Sequence, residues 1–409
     1  MDPKVLGISL SDISTGLIFY PDDEAITFPT VISKKKGEDA WGVGESAYAL
    51  ALDGKGIITD KLLKLTRKKG VATIDGVKYE GREILKFFFK EIIDLGMKKL
   101  YKEKPDEVVI AMTGLDHDIV NDIREAFLNL GYLPNHIHII SKEESFIYFV
   151  LSLKKDVWNN RVGMFDLSDV SLTYYEMIVN RNSRKLFAGA ESENMDEAFN
   201  LQILGNPSGA KLADKILTSV ATKVMDKKQF SAIFLTGQAF ESVDWAENFT
   251  GFLCSRGRVY SDANIFAKGA SFKGVDIVNE SSIYNIVCTC EGRLNADVFI
   301  QAIKEGRECR IYLGKIGDYW SDLENEIFLI PDESENININ IAGMDPKKNK
   351  IVSVPLDFLP KRPLKSRKIK FSSRFLDNKV INLEISDVGF GDMYPATDAK
   401  RSIEVNIWD

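Results

Sequence analysis

The chain opens on an apolar run, Val5-Leu6-Gly7-Ile8-Ser9-Leu10, then a polar stretch, Ser11-Asp12-Ile13-Ser14-Thr15, then a second apolar run, Gly16-Leu17-Ile18-Phe19-Tyr20. Strand-like runs around turn residues predict a β-hairpin. A short strand is expected at 25–31. Residues 39–69 read as helical, with Leu50, Leu52, Ile57, Ile58, Leu62, Leu63 and Leu65 as apolar anchors. From 81 to 101, Ile84, Leu85, Phe88, Ile92, Leu95 and Leu100 approach a 3.6-residue period and Pro105 stops the run, which predicts an amphipathic helix. A buried strand at 106–112, a helix at 117–130 ending at Gly131, a strand at 136–140 and a helix at 143–153 complete an alternation typical of α/β layers.

At Arg161 the pattern starts again. Val162-Gly163-Met164-Phe165-Asp166-Leu167 and Leu172-Thr173-Tyr174-Tyr175-Glu176-Met177-Ile178-Val179 flank Ser168-Asp169-Val170-Ser171, a second hairpin. Helices are expected at about 195–204 and 208–226, a strand at 232–235, then an irregular stretch and a short helix near 264–271. The pentapeptides Leu10-Ser11-Asp12-Ile13-Ser14 and Leu167-Ser168-Asp169-Val170-Ser171 are nearly identical, which marks an internal repeat of a β-hairpin/α unit. After about Val275 the runs alternate at period two between Gly, Pro, Asn and Asp, with 297–305 alone reading as a helix. The tail therefore reads as a mostly β domain, a sandwich of antiparallel sheets. The expected domains are 1–160, 161–275 and 276–409.

Composition narrows the function classes. The 409 residues carry 53 Lys+Arg and 60 Asp+Glu, a net charge of −7, so no basic excess favours nucleic acid or an anionic membrane. Cys254, Cys288, Cys290 and Cys309 are too few for an extracellular disulfide framework, and no apolar run suits a signal peptide or a membrane span. A cytoplasmic setting is expected. His117, His136 and His138 fall short of a typical zinc set, although Asn135-His136-Ile137-His138 puts two imidazoles on one strand face; a strand-end surface pair is the reading adopted. Cys288-Thr289-Cys290 lacks a second pair at ligand spacing and reads as small buried hydrophobes. The basic run Lys361, Arg362, Lys365, Arg367, Lys368 and Lys370 reads as a solvated linker and edge strand.

The order of motifs resembles the chaperones of the seventy-kilodalton heat-shock class. Gly7-Ile8-Ser9-Leu10-Ser11 is similar to that family's Gly-Ile-Asp-Leu-Gly-Thr-Thr segment, and Phe165-Asp166-Leu167-Ser168-Asp169 to its Phe-Asp-Leu-Gly-Gly-Gly-Thr segment. Phe28-Pro29-Thr30-Val31, Ile139-Ile140-Ser141, Ile233-Phe234-Leu235-Thr236-Gly237-Gln238 and Ala267-Lys268-Gly269-Ala270-Ser271 follow in the family's order. Leu359-Pro360-Lys361-Arg362-Pro363 and Phe375–Ile381 (375–381) resemble closing strands of its peptide-binding β domain. The resemblance implies an α/β fold of the actin-like, heat-shock-chaperone-like two-lobed ATPase type, a duplicated ribonuclease-H-like unit, with a C-terminal β sandwich.

The departures fall on the residues that would bind nucleotide. Phosphate loops use glycines to bring backbone N–H groups close to phosphate. Here Ser11 and Asp12 replace Gly and Thr, and Ser168-Asp169-Val170 replace three glycines. The resemblance sets both turns across one cleft, where Asp12 and Asp169 would meet a triphosphate; unit charges 4 Å apart repel by roughly 1 to 4 kcal/mol at dielectrics of 80 to 20. Ser9 replaces one magnesium-organising carboxylate, leaving Asp166, and only residues 180–235 lie between the second hairpin and Thr236, where the family carries an extra subdomain. Glu143 and Glu144 lie near the family's connector glutamate, and Lys61 or Lys64 near its phosphate-facing lysine.

The degenerate cleft therefore comprises Ser11, Asp12, Ser14, Asp166, Ser168, Asp169, Ser171, Gly237, Gln238 and Gly269. The leading expectation is a pseudo-ATPase with no cofactor, a scaffold for another protein or an extended peptide. Two alternatives stay open. One is an active ATPase holding ATP and magnesium through Asp166, with Ser11, Ser14, Ser168 and Ser171 donating to phosphates and Gly237 and Gly269 near adenosine. The other is an actin-like filament subunit.

Overall fold

The computed structural model describes residues 4–100, 103–168, 171–181, 186–195, 201–279, 281–331, 335–363 and 365–408. The chain divides into two compact units, 1–288 and 289–409.

The first unit begins with β1 (Val5–Leu10), β2 (Ser14–Phe19) and β3 (Ala25–Pro29). Next come β4 (Ile32–Lys35), β5 (Trp41–Val43), α1 (Glu45–Leu52), β6 (Gly56–Thr59), α2 (Leu62–Arg67), β7 (Val71–Ile74) and β8 (Val77–Glu80). Then α3 (Gly81–Leu100), β9 (Glu107–Met112), α4 (His117–Asn129), β10 (Ile137–Ser141) and α5 (Lys142–Ser152) follow. The main sheet runs β10-β9-β1-β2-β3, with β1 antiparallel to β2 and parallel to β9. The continuous helix expected over 39–69 is instead two short helices and two strands. Its leucines are shared among several surfaces: Gly54 turns the chain at φ +68°, and Ile57 and Ile58 pair with Lys34 and Ser33 of β4.

The second half repeats this plan with β11 (Arg161–Ser168), β12 (Ser171–Asn180), β13 (Leu186–Asn194), α6 (Pro207–Val224), β14 (Phe230–Thr236), α7 (Glu247–Arg256), β15 (Arg258–Ser261), α8 (Ile265–Val278) and β16 (Ile286–Thr289). Its sheet runs β15-β14-β11-β12-β13-β16, so the first five strands match the first sheet in order and in sense. The stretch read as irregular holds α7 and β15. Both are short, and β15, at a sheet edge, is largely exposed and lacks a clean alternation. Of the helix expected at 195–204, residues 196–200 lie outside the described residues and 201–205 form a 3₁₀ turn.

Each central strand is buried on both faces because helices cover both. In β1, Leu6, Ile8 and Leu10 join the core with Ile84, Phe88, Ile92, Ile123 and Phe127 of α3 and α4. The opposite face meets α8 of the other repeat: a Cβ at Gly7 would fall 2.2 Å from the Ala267 carbonyl oxygen. Reciprocally, Phe146 and Phe149 of α5 meet Phe234 of β14 edge to face, at 6.4 and 5.4 Å between centroids. The last helix of each repeat therefore packs on the sheet of the other. Where α5 and α8 cross, a Cβ at Gly269 would fall 1.9 Å from the Ser145 carbonyl oxygen. Only glycine permits that approach.

The second unit contains β17 (Ala296–Lys304), β18 (Arg307–Gly314), β19 (Glu324–Leu329), β20 (Asn336–Gly343), β21 (Lys350–Pro355), β22 (Ile369–Phe375), β23 (Val380–Asp387) and β24 (Lys400–Asn406). They form two antiparallel four-stranded sheets, β18-β17-β20-β21 and β19-β22-β23-β24. Alternate residues such as Val298, Ile300, Ile339 and Ile341 on one sheet and Phe371, Phe375, Leu383 and Ile385 on the other are buried. The segment read as a helix at 297–305 is β17; Val298, Phe299 and Ile300 are all buried, and this continuous apolar run hides the period-two alternation.

Candidate functional site

The first Ser-Asp turn is held by its own chain. The Ser11 hydroxyl donates to the Ser14 carbonyl at 2.9 Å and accepts from the Ser14 N–H at 3.0 Å, which closes the turn between β1 and β2. Asp12 Oδ1 accepts from the backbone N–H groups of Leu63 and Lys64, at 2.8 and 3.2 Å. These are among the N–H groups that a helix start leaves without partners. A carboxylate there takes the role that an N-cap side chain ordinarily plays, here supplied from a distant turn. Asp12 is thus tied to α2, which is a different role from the free charge facing a cleft that the sequence reading gave it. Lys61, at φ +51°, immediately precedes α2.

The second turn gathers more chemistry. Asp166, third from the end of β11, is buried; its Oδ1 accepts from the Ser168 hydroxyl, and its Oδ2 lies 3.4 Å from the Lys142 ammonium. That ammonium also sits 4.4 Å from the centroid of the Phe266 ring in α8, an electrostatically favourable seat for a cation. Ser171 donates to the Ser168 carbonyl at 3.4 Å. Gly237, at φ +96°, abuts this turn, since a Cβ there would fall 2.5 Å from the Leu167 carbonyl oxygen and 2.8 Å from Ser168 Oγ. Gln238 opens the short 3₁₀ turn that follows. Asp169 lies outside the described residues.

Asp166, Ser168, Ser171 and Gly237 therefore converge, with Gln238 next to them. Ser11, Asp12 and Ser14 belong to the separate turn anchored on α2. Gly269 belongs to the α5–α8 crossing, where its missing side chain serves helix packing.

Lys142 was not singled out from the sequence. The signal was present: a cation in the first turn of a helix opposes the helix dipole, so it needs an acid nearby. Beside it, Glu143 is buried, with one oxygen accepting from the Ser192 hydroxyl and the other without a partner. Glu144, fully buried, lies 3.7 Å from the Lys273 ammonium, which donates to the Tyr148 hydroxyl at 3.0 Å. Tyr148 in turn donates to Asp276. Burial and the neighbouring Asp276 push the Tyr284 phenol up to about 12. A polar network thus runs along the α5–α8 crossing.

The remaining candidates are absorbed locally. His136 and His138 both face the Glu107 carboxylate, His138 at 3.1 Å, and no metal-holding cluster occurs among the described residues. In the basic run, Arg362 grips Asp387 through two 2.7 Å bonds, Lys370 pairs with Glu326 at 2.8 Å, and Lys368 lies over Phe328. No helix among the described residues is long and apolar enough to cross a membrane.

No curated protein matches the chain. Residues 293–407 match a second model, described as a domain of unknown function (DUF8552), so the boundary between the two matches falls close to the boundary between the structural units. With residues 16–291, more than half of its length, matching the model described as family of unknown function (DUF5716) C-terminal, the chain belongs to that family.

Proposed function

We propose that this chain is an actin-like, heat-shock-chaperone-like body that has given up nucleotide chemistry and acts as a scaffold for another protein or an extended peptide. The observation that carries the reading is the Lys142 ammonium beside Asp166. A metal-bound nucleotide draws on a carboxylate to organise the cation, and here that carboxylate already has a covalently tethered cation and a serine hydroxyl. The shared strand order of the two sheets and the reciprocal packing of α5 and α8 support the two-lobed body.

The first turn supports the same conclusion from the other side. Its serine hydroxyl already donates to its own backbone, and its aspartate, an acceptor, serves α2, so neither side chain offers a donor to a phosphate. The β unit is the part suited to a partner. Four of its strands, β18, β21, β19 and β24, stand at sheet edges, and Ile351 on β21 is 63% exposed. An edge strand can accept an extended peptide through main-chain bonds. The cytoplasmic setting expected from the sparse cysteines belongs to this proposal.

The test is the melting of the whole chain with and without millimolar ATP and magnesium. A ligand that binds only the folded form raises the midpoint. An unchanged midpoint is expected; a rise of several degrees, or phosphate release above background, overturns the proposal.

A further inference from the structure

Beyond the start of α2 that Asp12 holds, three segments of the first unit line a depression of about 390 Å³. Thr66, Lys69 and Val71 contribute one wall, Glu80, Gly81 and Arg82 a second, and Asp118, Asn121 and Asp122 of α4 a third. The three α4 residues are spaced i, i+3, i+4 and so share one helix face. The floor is closely fitted: a Cβ at Gly81 would fall 2.8 Å from the Thr66 backbone, which seats the start of α3 on the end of α2. The volume lies within the range of small-ligand pockets, about 300–1,000 Å³.

The charges do not balance. The Lys69 ammonium lies 2.8 Å from Asp118, and Arg82 Nε lies 2.7 Å from Glu80, so each cation already has an acid. Among the described residues the Asp122 carboxylate has neither a hydrogen-bond nor an ion-pair partner. Its surroundings contain Arg82 and Lys69, which attract, and Glu125 and Asp118, which repel. Burial, the largest influence, raises its carboxyl above the ordinary range. A half-buried carboxylate without a donor gains strongly from any cation that reaches it.

We propose that this depression binds a small organic cation, an ammonium or guanidinium on a short aliphatic stem, with Asp122 as its counter-ion, the Asn121 side-chain oxygen as a second acceptor and Val71 against the stem. The site does not depend on the scaffold reading. Since the carboxyl must be ionised to hold the cation, affinity falls as acid protonates it.

The test uses the full chain and calorimetric titration with agmatine, with an arginine peptide capped at both ends, and with malonate. Binding of agmatine alone assigns the site to a free cation, and binding of the capped peptide assigns it to a partner's side chain. In either case Asp122→Asn lowers affinity by about tenfold or more, as expected for loss of a charge-assisted bond. Arg82→Gln, which removes a competing cation, tightens binding several-fold. Both variants keep a wild-type circular dichroism spectrum. Failure of both cations to bind, equal binding by the Asp122→Asn protein, or preference for malonate overturns the proposal.

Discussion

The ammonium of Lys142, at the start of α5 in the first repeat, lies 3.4 Å from the carboxylate of Asp166, near the end of β11 in the second. The side chains are only 13% and 7% exposed, so water screens the pair poorly. Phe266 of α8 sits under the same ammonium. One cation thus joins three elements from both repeats.

Removing Lys142 leaves a buried carboxylate without its cation. Lys142→Met is expected to destabilise the first unit by about 3 kcal/mol, the scale for breaking a buried pair. Denaturant unfolding of Lys142→Met, Asp166→Asn and the double variant checks this. The double variant is expected to be more stable than the two single losses added together, and strict additivity would refute the coupling.

Asp12 holds the start of α2 from a turn some fifty residues earlier. Asp12→Ala should cost about 1 kcal/mol, the value of a lost N-cap. Asp12→Asn, which keeps an acceptor, should cost much less. Hydrogen exchange at residues 62–67 should rise in the alanine variant and stay low in the asparagine variant.

Gly269 and Gly7 let the repeats interlock. A methyl at either site meets backbone oxygen, at 1.9 and 2.2 Å, and backbone yields less readily than a side chain tip. Gly269→Ala and Gly7→Ala are each expected to destabilise by about 3 kcal/mol, the upper range for overpacking. Gly251→Ala, on the exposed face of α7 where no atom lies within 4 Å, is the control and should melt at or slightly above the parent chain.

Asp387 organises one end of the second unit. Burial by itself pushes its carboxyl up, but the Arg362 guanidinium, the Thr397 hydroxyl and the Gly389 and Thr397 N–H groups outweigh burial and hold it below the ordinary range. A carboxyl lowered by folding contributes stability above roughly pH 4, lost as the pH falls through the lowered value. Arg362→Ala should move acid unfolding of this unit to higher pH and cost about 3 kcal/mol at neutral pH. An unchanged acid midpoint, followed by tyrosine and tryptophan fluorescence, would contradict this.

The sequence by itself determined the features that depend on neighbouring residues. Apolar runs around Ser-Asp turns set both hairpins, the 3.6-residue period set α3 and α4, and the near-identical pentapeptides marked the repeat, because such runs, periodicity and turn chemistry are local. It blurred β17, where Phe299 between the inward Val298 and Ile300 is also apolar and buried, and the segment 39–69, whose apolar residues serve several small surfaces.

Only the tertiary structure decided what the charged groups do. Asp166 was readable as a candidate, but its partner was not, because Lys142 reaches it only when α5 of one repeat lies against the sheet of the other. The same holds for Asp12, whose acceptor meets α2, and for Gly269, whose role comes from the α5–α8 crossing. A charge in a sequence carries its sign but not its distance to the next charge, and that distance, set by packing, fixes whether it binds a ligand or holds the fold.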